Sequence, residues 1–480
     1  MNYIIKTICY SLAFIGFLTV YGQEDGLDSG WRWHVAPQEH VELYIGNDTI
    51  TRTALPITDE KHWWEAFGYQ TLDTLVEKAM ASNVDIKIAV AQLEQAKARK
   101  NVAMAKLFPT LRLEPSFSRQ EFSANRPNPF GGQLGPVTLS TYEAPVTLSY
   151  ELDIFGKNIN DLEATNLISK ANDENRKQVM LEVITEVANN FFLMLRLDAE
   201  IDLLKHTEKT RLDNLDIAST RYNAGLVSQI DVLRAKTELA SVQVQMKNTQ
   251  KLRSEIELVL AELIGEDAST FEVSHTQIKY LPPDVAFLRK DSILVTRPDL
   301  RASKLMIASA EKKLAHQRKQ LLPALHLSGA YGYLSGDSDN LIERNSRTWF
   351  AGVSASLPLF EGGKKRAEIK LRKSELEEQQ RNYDRAVLQS FRQVENTFSN
   401  LNWIHEQLLA QQEFVMAARD ASELTNERYR KGLVNYIDVV DAQRQVLEAE
   451  RLSVQLFGQE LSERVRLIRE LALAPEWEGN

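Results

Sequence analysis

Two long stretches of the chain carry apolar residues at helical spacing with neither Gly nor Pro to break them. In residues 157–224, Met180, Ile184, Val187, Phe191 and Met194 step alternately by four and three. In residues 364–431, Val387, Phe391, Val394, Phe398 and Leu401 repeat the same steps 207 positions later. This is a coiled-coil-like seam, and at about 1.5 Å per residue each stretch predicts a helix roughly 100 Å long. A chain with two such rods is not an ordinary globule.

Both rods stop at a glycine inside a duplicated motif, RYNAGLVSQIDVLR at 221–234 and RYRKGLVNYIDVVD at 428–441. Gly225 and Gly432 sit where a helix C-terminus favours glycine. Ser228 with Asp231, and Asn435 with Asp438, have the capping-box spacing that opens the next helix. Each copy therefore predicts the tip of a helical hairpin.

The duplication extends upstream. A helix-like run from Leu72 to about Lys106 ends at Phe108-Pro109, and its mate, from about Asp291 to Gln320, ends at Leu322-Pro323. After each proline the period changes to two. Leu111 and Leu113 alternate with Arg112 and Glu114, and Leu325 and Leu327 with His326 and Ser328. A turn-rich loop follows in each half, and then Val146, Leu148, Tyr150 and Leu152, or Ala351, Val353, Ala355 and Leu357, resume the alternation. Four strands follow from this, at about 111–121, 142–154, 324–334 and 349–360. Four strands cannot close a barrel, and an unpaired sheet edge in lipid is costly. Sibling chains would have to complete it: eight strands leave no lumen, whereas twelve do. A four-stranded sheet covered by the chain's own helices is the alternative.

The expected organisation is a signal peptide at 1–22, a loose leader at 23–60, a first repeat at 61–264, a connecting segment at 265–290, a second repeat at 291–473 and a tail at 474–480. The signal peptide rests on Lys6, the apolar run from Ile8 to Val20, and a small-residue site before Gln23. An N-terminal membrane anchor is the weaker alternative, because the run falls short of about 20 residues. The one cysteine, Cys9, lies inside it, so the mature chain would form no disulfide and carry no lipidated cysteine. No other stretch is apolar enough for a transmembrane helix, so a membrane would be entered as strands. A formal net charge of −9 argues against nucleic acid as a partner. The histidines form no metal-binding pair, Glu361-Gly362-Gly363-Lys364-Lys365 is not a phosphate loop, and no nucleophile-base grouping is present; no cofactor, metal or catalytic residue is expected.

Several segments together carry a resemblance. Trp63-Trp64, TLSYELDIFGK at 147–157, TRPDLRAS at 296–303, ASLPLFEGGKK at 355–365 and the two RYxxGLV tips resemble the TolC-like outer-membrane efflux factors, most closely the NodT-type branch. The resemblance covers nearly the whole mature chain. It implies a mostly α fold with a small β membrane part: a homotrimer whose twelve-stranded β-barrel in outer-membrane lipid continues as a periplasmic α-helical barrel. It also implies the role of passive exit duct, docked through a periplasmic adaptor onto an inner-membrane pump of the RND type. Many members of the branch carry an acylated cysteine at the mature N-terminus, where this chain has Gln23.

The resemblance also assigns roles at the tips. Asp438 and Asp441 match acids that ring the closed entrance, and Tyr429 and Asp231 match positions that help to hold it closed. Asp438 has an equally good reading as a helix cap, whereas Asp441, whose mate is Arg234, does not. Where some members have a basic residue two positions after the tip glycine, this chain has Val434, which leaves the closing salt link either absent or rebuilt from Arg430 or Lys431. Gly225, Leu226, Val227, Gly432, Leu433 and Val434 are the expected adaptor contact; packing within the tip is the alternative for the apolar four. The rival readings of the whole chain are a secreted coiled-coil scaffold, a duct for protein secretion and, more distantly, a periplasmic helical enzyme.

Overall fold

A computed structural model describes residues 43–45, 48–50, 62–127, 135–278 and 296–472. The expected signal peptide, most of the leader, residues 279–290 of the connecting segment and the tail lie outside the described residues.

Within residues 23–60, read as loose from the sequence, β1 (Leu43–Ile45) and β2 (Asp48–Ile50) form an antiparallel hairpin. A 3-10 turn at Trp63–Phe67 leads into α1 (Gln70–Ser82) and α2 (Val84–Ala105). The sequence pattern predicts one helix here. Asn83 divides it: its side chain accepts the amides of Asp85 and Ile86 at 2.8 and 3.1 Å and donates to the Leu263 carbonyl at 2.8 Å. One polar side chain thus starts α2 and ties it to another helix.

The long rods are α3 (Lys157–Asn223) and α6 (Lys364–Arg430), each of 67 residues. Each turns back into a helix of 36 residues, α4 (Gln229–Ile264) or α7 (Tyr436–Leu471). The mate of α2 is α5 (Pro298–Lys319). The sequence reads as a returning helix from Leu433 to about Leu473 interrupted by Gly458; instead α7 runs through Gly458, and the missing side chain makes room for Arg196 of α3.

The main core lies around the middle of the rods. Trp63, Trp64 and Phe67 pack with Phe191 and Phe192 of α3 and with Val454, Phe457 and Leu461 of α7, and the Phe67 and Phe192 rings are 4.7 Å apart. Each aromatic so buried contributes roughly 2–3 kcal/mol. Val273 and Ile278 of the connecting segment enter the same core. Of the two seams, that of α3 is wholly buried, whereas in α6 Val394 and Leu401 are buried and Val387, Phe391 and Phe398 only half so.

The second layer of structure is a single antiparallel sheet: β3 (Thr110–Leu113) and β4 (Ser116–Phe122), then β5 (Val137–Leu152), β6 (Ala324–Ser335) and β7 (Arg347–Ser356). β3 and β4 are one strand in one register, Leu113 opposite Val146 and Ser116 opposite Glu143, interrupted at Pro115 because proline has no amide for the ladder. Pro145 of β5 withholds a second donor, and its partner across the other ladder is Gly332. A Cβ at Gly332 would collide with the backbone of Ala144 and Pro145, so the two strands meet there without side-chain clearance. The helices do not cover the sheet, and Leu111, Leu113, Phe117, Trp349, Phe350 and Val353 are exposed on it. The alternative of a sheet roofed by the chain's own helices is therefore excluded. Among the described residues, the outer edges of β3/β4 and of β7 have no partner strand.

Candidate functional site at the hairpin tips

The far ends of the rods from the sheet carry the two duplicated motifs. At the first, Gly225 has φ 72°, its N–H donates to the Tyr222 carbonyl and that of Leu226 to the Arg221 carbonyl, both at 2.9 Å. At the second, Gly432 has φ 75°, and Gly432 and Leu433 make the same two bonds to Tyr429 and Arg428, again at 2.9 Å. Both are Schellman caps, which need a left-handed residue at the glycine. A Cβ at either glycine would meet nothing within 4 Å, so both backbones face open space.

The apolar link after each glycine divides by residue type. Leu226 and Leu433 point outward, 74% and 65% exposed, while Val227 and Val434 are half-buried. Val434 packs on a small cluster of Ala218, Ala235, Tyr429, Tyr436, Val439 and Val440, which joins the two hairpins. Packing within the tip accounts for Val434 and leaves the leucines unexplained.

The acids divide too. The Asn435 N–H donates to the Asp438 carboxylate at 2.9 Å, which completes a capping box on α7. In the first copy the cap is looser: Ser228 Oγ accepts the Ile230 amide at 3.3 Å, and Asp231 lies 3.8 Å from Arg234. Asp441 caps nothing; it is exposed, with Arg444 at 4.0 Å. Asp438 remains exposed as well, one turn away. Arg430 and Lys431 are exposed and make no ion pair among the described residues. Tyr429 and Asp231 are not hydrogen-bonded to each other; the Tyr429 hydroxyl is buried without a partner.

A cross-hairpin network emerged that the motifs alone did not disclose. Arg221 donates to the carbonyls of Tyr429 and Arg430 at 3.3 and 3.2 Å, and its guanidinium stands over the Tyr429 ring. Tyr429 packs on Tyr436 at 5.6 Å between centroids. Burial pushes the Tyr436 phenol up to about 12. Deeper along the rods, Glu238 of α4 receives Arg444 of α7 in a paired bond and lies 3.9 Å from Arg211, whose burial lowers its pKa against the pull of Glu238. Arg211 and Asn214 both donate to Gln443. The duplicated Arg-Tyr pair was the available signal for part of this; the Glu238 network has no mate in the other repeat, and so no signal.

The chain whose long hairpins with matched capped tips join this bare sheet belongs to the outer membrane efflux protein family, whose model matches residues 75–266 and 291–472. It is 27% identical to the pyoverdine export outer membrane protein OpmQ of Pseudomonas aeruginosa, over 95% of this chain and 93% of that one. It is 26% identical to the toluene efflux pump outer membrane protein TtgC of Pseudomonas putida, over 86% and 84%. Among solved structures, the outer-membrane channel OprN superposes with a TM-score of 0.80 at 23% identity, covering 92% of this chain and 98% of that one. The Campylobacter jejuni CmeC outer membrane channel gives 0.79 at 22% identity, covering 96% and 95%. The fold is that of these outer-membrane channels.

Proposed function

We propose that three copies of this chain form the passive exit duct of a tripartite efflux system, which receives small molecules from an inner-membrane pump through a periplasmic adaptor. The observation that carries this reading is a packing asymmetry between the repeats. α3 packs on α5 and α7 of the second repeat, whereas its mate α6 packs on α5 and α7 of its own repeat and on β1. The matching surfaces, α6 against α2 and α4, are left for another copy. Leu181 is fully buried, while its mate Leu388 is 71% exposed. The open edges of β3/β4 and β7 support the same conclusion, since a copy added at each edge extends the ladder, and three copies close it as twelve strands around a lumen. The small-molecule cargo is supported by the exporters of pyoverdine and toluene among the relatives.

At the entrance, Asp438 and Asp441 from three copies would set two rings of carboxylates around the axis, favouring cations over anions. Tyr429, in the contact between the hairpins, and Asp231, at the start of α4, stand beside that gate. Gly225, Leu226, Val227, Gly432, Leu433 and Val434 form the rim offered to the adaptor, with the two outward leucines as its anchors. The pump is of the RND type, an assignment supported by the NodT-like motifs.

The test is reconstitution in planar bilayers. Heat-modifiable trimers that fractionate with outer membranes and conduct are expected. The double variant Asp438→Asn with Asp441→Asn, which keeps the cap's acceptor oxygen and removes the charge, is expected to lose cation block and to conduct more. A monomer without conductance would overturn the duct, and unchanged block would overturn the gate.

A further inference from the structure

The Arg221 contact has a mate that a single copy leaves unmade. The motif duplicates both members of the pair: Arg221 and Tyr222 in the first repeat, Arg428 and Tyr429 in the second. Within the chain, the Arg221 guanidinium lies 4.7 Å from the Tyr429 ring centroid and donates to the last carbonyls of α6. Such a cation lies along the negative end of the helix dipole; it satisfies the Arg430 carbonyl and is a second donor to the Tyr429 carbonyl, which also accepts the Gly432 N–H. Arg428 and Tyr222 hold the corresponding positions, and both are exposed. Tyr429 is 8% exposed beneath its arginine, whereas Tyr222 is 42% exposed. Leu233 is likewise exposed although its mate Val440 is buried, so at these positions the face of the first hairpin that corresponds to the covered face of the second is bare.

We infer that Arg428 of one copy clasps the end of α3 in the next, its guanidinium over the partner's Tyr222 and its N–H groups on the carbonyls of the partner's Tyr222 and Asn223. Resting on the trimeric reading above, this gives the entrance six equivalent clasps, alternately within and between chains. The occupant of the bare face is a second copy because the required surface already exists on this chain in the required order: arginine one residue before the tyrosine, and four before the tip glycine, in both repeats. The between-chain clasps are the ones that can open without unfolding a subunit, so they control the width of the entrance.

Engineered cysteine pairs test this without background, because the chain's only cysteine is Cys9. In the full-length protein in outer membranes, the pair Arg428→Cys with Tyr222→Cys, treated with a short bis-methanethiosulfonate spacer, is expected to give covalent two-chain and three-chain products. The pair Arg221→Cys with Tyr429→Cys, which samples the same spacing inside one chain, is expected to shift mobility without joining chains. Trimers that persist on unheated gels, with chain-to-chain product absent from the first pair while the second pair reacts, would overturn the clasp and leave the duct standing. Loss of the trimer in the unsubstituted protein would overturn both. As a second readout, Arg428→Ala is expected to raise resting conductance with trimer yield unchanged, and conductance equal to that of the unsubstituted protein would count against the clasp.

Discussion

Arg221 and Tyr429 stand in adjacent hairpins, and the guanidinium of the first covers the ring of the second at 4.7 Å. The same cation holds two carbonyls at the end of α6. Arg221→Ala should therefore loosen the tip by about 1–2 kcal/mol, the sum of a partly exposed cation–π contact and charge-assisted bonds. Faster backbone amide exchange in residues 428–433, with no change in the sheet, is the expected measurement. Arg221→Lys should recover only part, since an ammonium lacks the planar fork.

Tyr436 makes the hairpin junction sensitive to alkali. Burial raises its folded-state pKa from 10.0 to about 12, so the folded chain keeps a proton that the unfolded chain has released. The resulting stability is complete below about pH 10 and is lost as pH climbs through 12, a difference of roughly 2–3 kcal/mol. The hydroxyl is buried without a hydrogen-bond partner. Tyr436→Phe should accordingly be neutral or stabilising by up to about 1 kcal/mol, and should flatten the fall in unfolding midpoint across that window.

Glu238 and Arg444 show how differently two ends of one ion pair can behave. The Glu238 side chain is 8% exposed and also faces the buried Arg211, whereas the Arg444 side chain is 59% exposed. Glu238→Ala leaves Arg211 charged and unpaired in the interior, and about 3 kcal/mol of destabilisation is expected. Arg444→Ala leaves the carboxylate near Arg211 and should cost less than about 1 kcal/mol. Denaturant midpoints of the two variants, compared in one detergent, check the contrast.

Gly332→Ala should damage the sheet rather than the rods. The added methyl meets backbone, not the end of a flexible side chain, at Ala144 and Pro145. Separating those strands is expected to cost about 1–3 kcal/mol per copy. Lower yield of heat-modifiable trimer, with helical circular dichroism retained, is the expected result. Gly352→Ala, where a Cβ meets nothing within 4 Å, is the control and should behave as the original.

Much of the architecture can be read from spacing alone because the chain states it twice. The rods and tip glycines follow from period and punctuation, and the Asn435–Asp438 cap from a three-residue offset. The division of α1 from α2 does not: Asn83 acts through Leu263, far along the chain, and no local pattern records that bond. Nor does the sequence separate Leu226 from Val227, since both are apolar and only the turn geometry sends one outward. The role of Gly458 inside α7, leaving room for Arg196 of another helix, is likewise set by a residue far along the chain. At the site, residues repeated in both halves were visible, whereas Arg211, Glu238 and Arg444 lack counterparts and became apparent only through their contacts.

The equal length of α3 and α6, 67 residues each, sets a rule for how this molecule can change. One residue inserted into a single rod would advance its loop by about 1.5 Å and swing it through about 100°. A rim built from alternating first and second hairpins would then be ragged, with every other anchor out of plane. Growth or shrinkage of the shaft is tolerable only as matched edits to both halves, in steps that restore the angular phase, so a gene encoding a taller version should carry its additions in pairs.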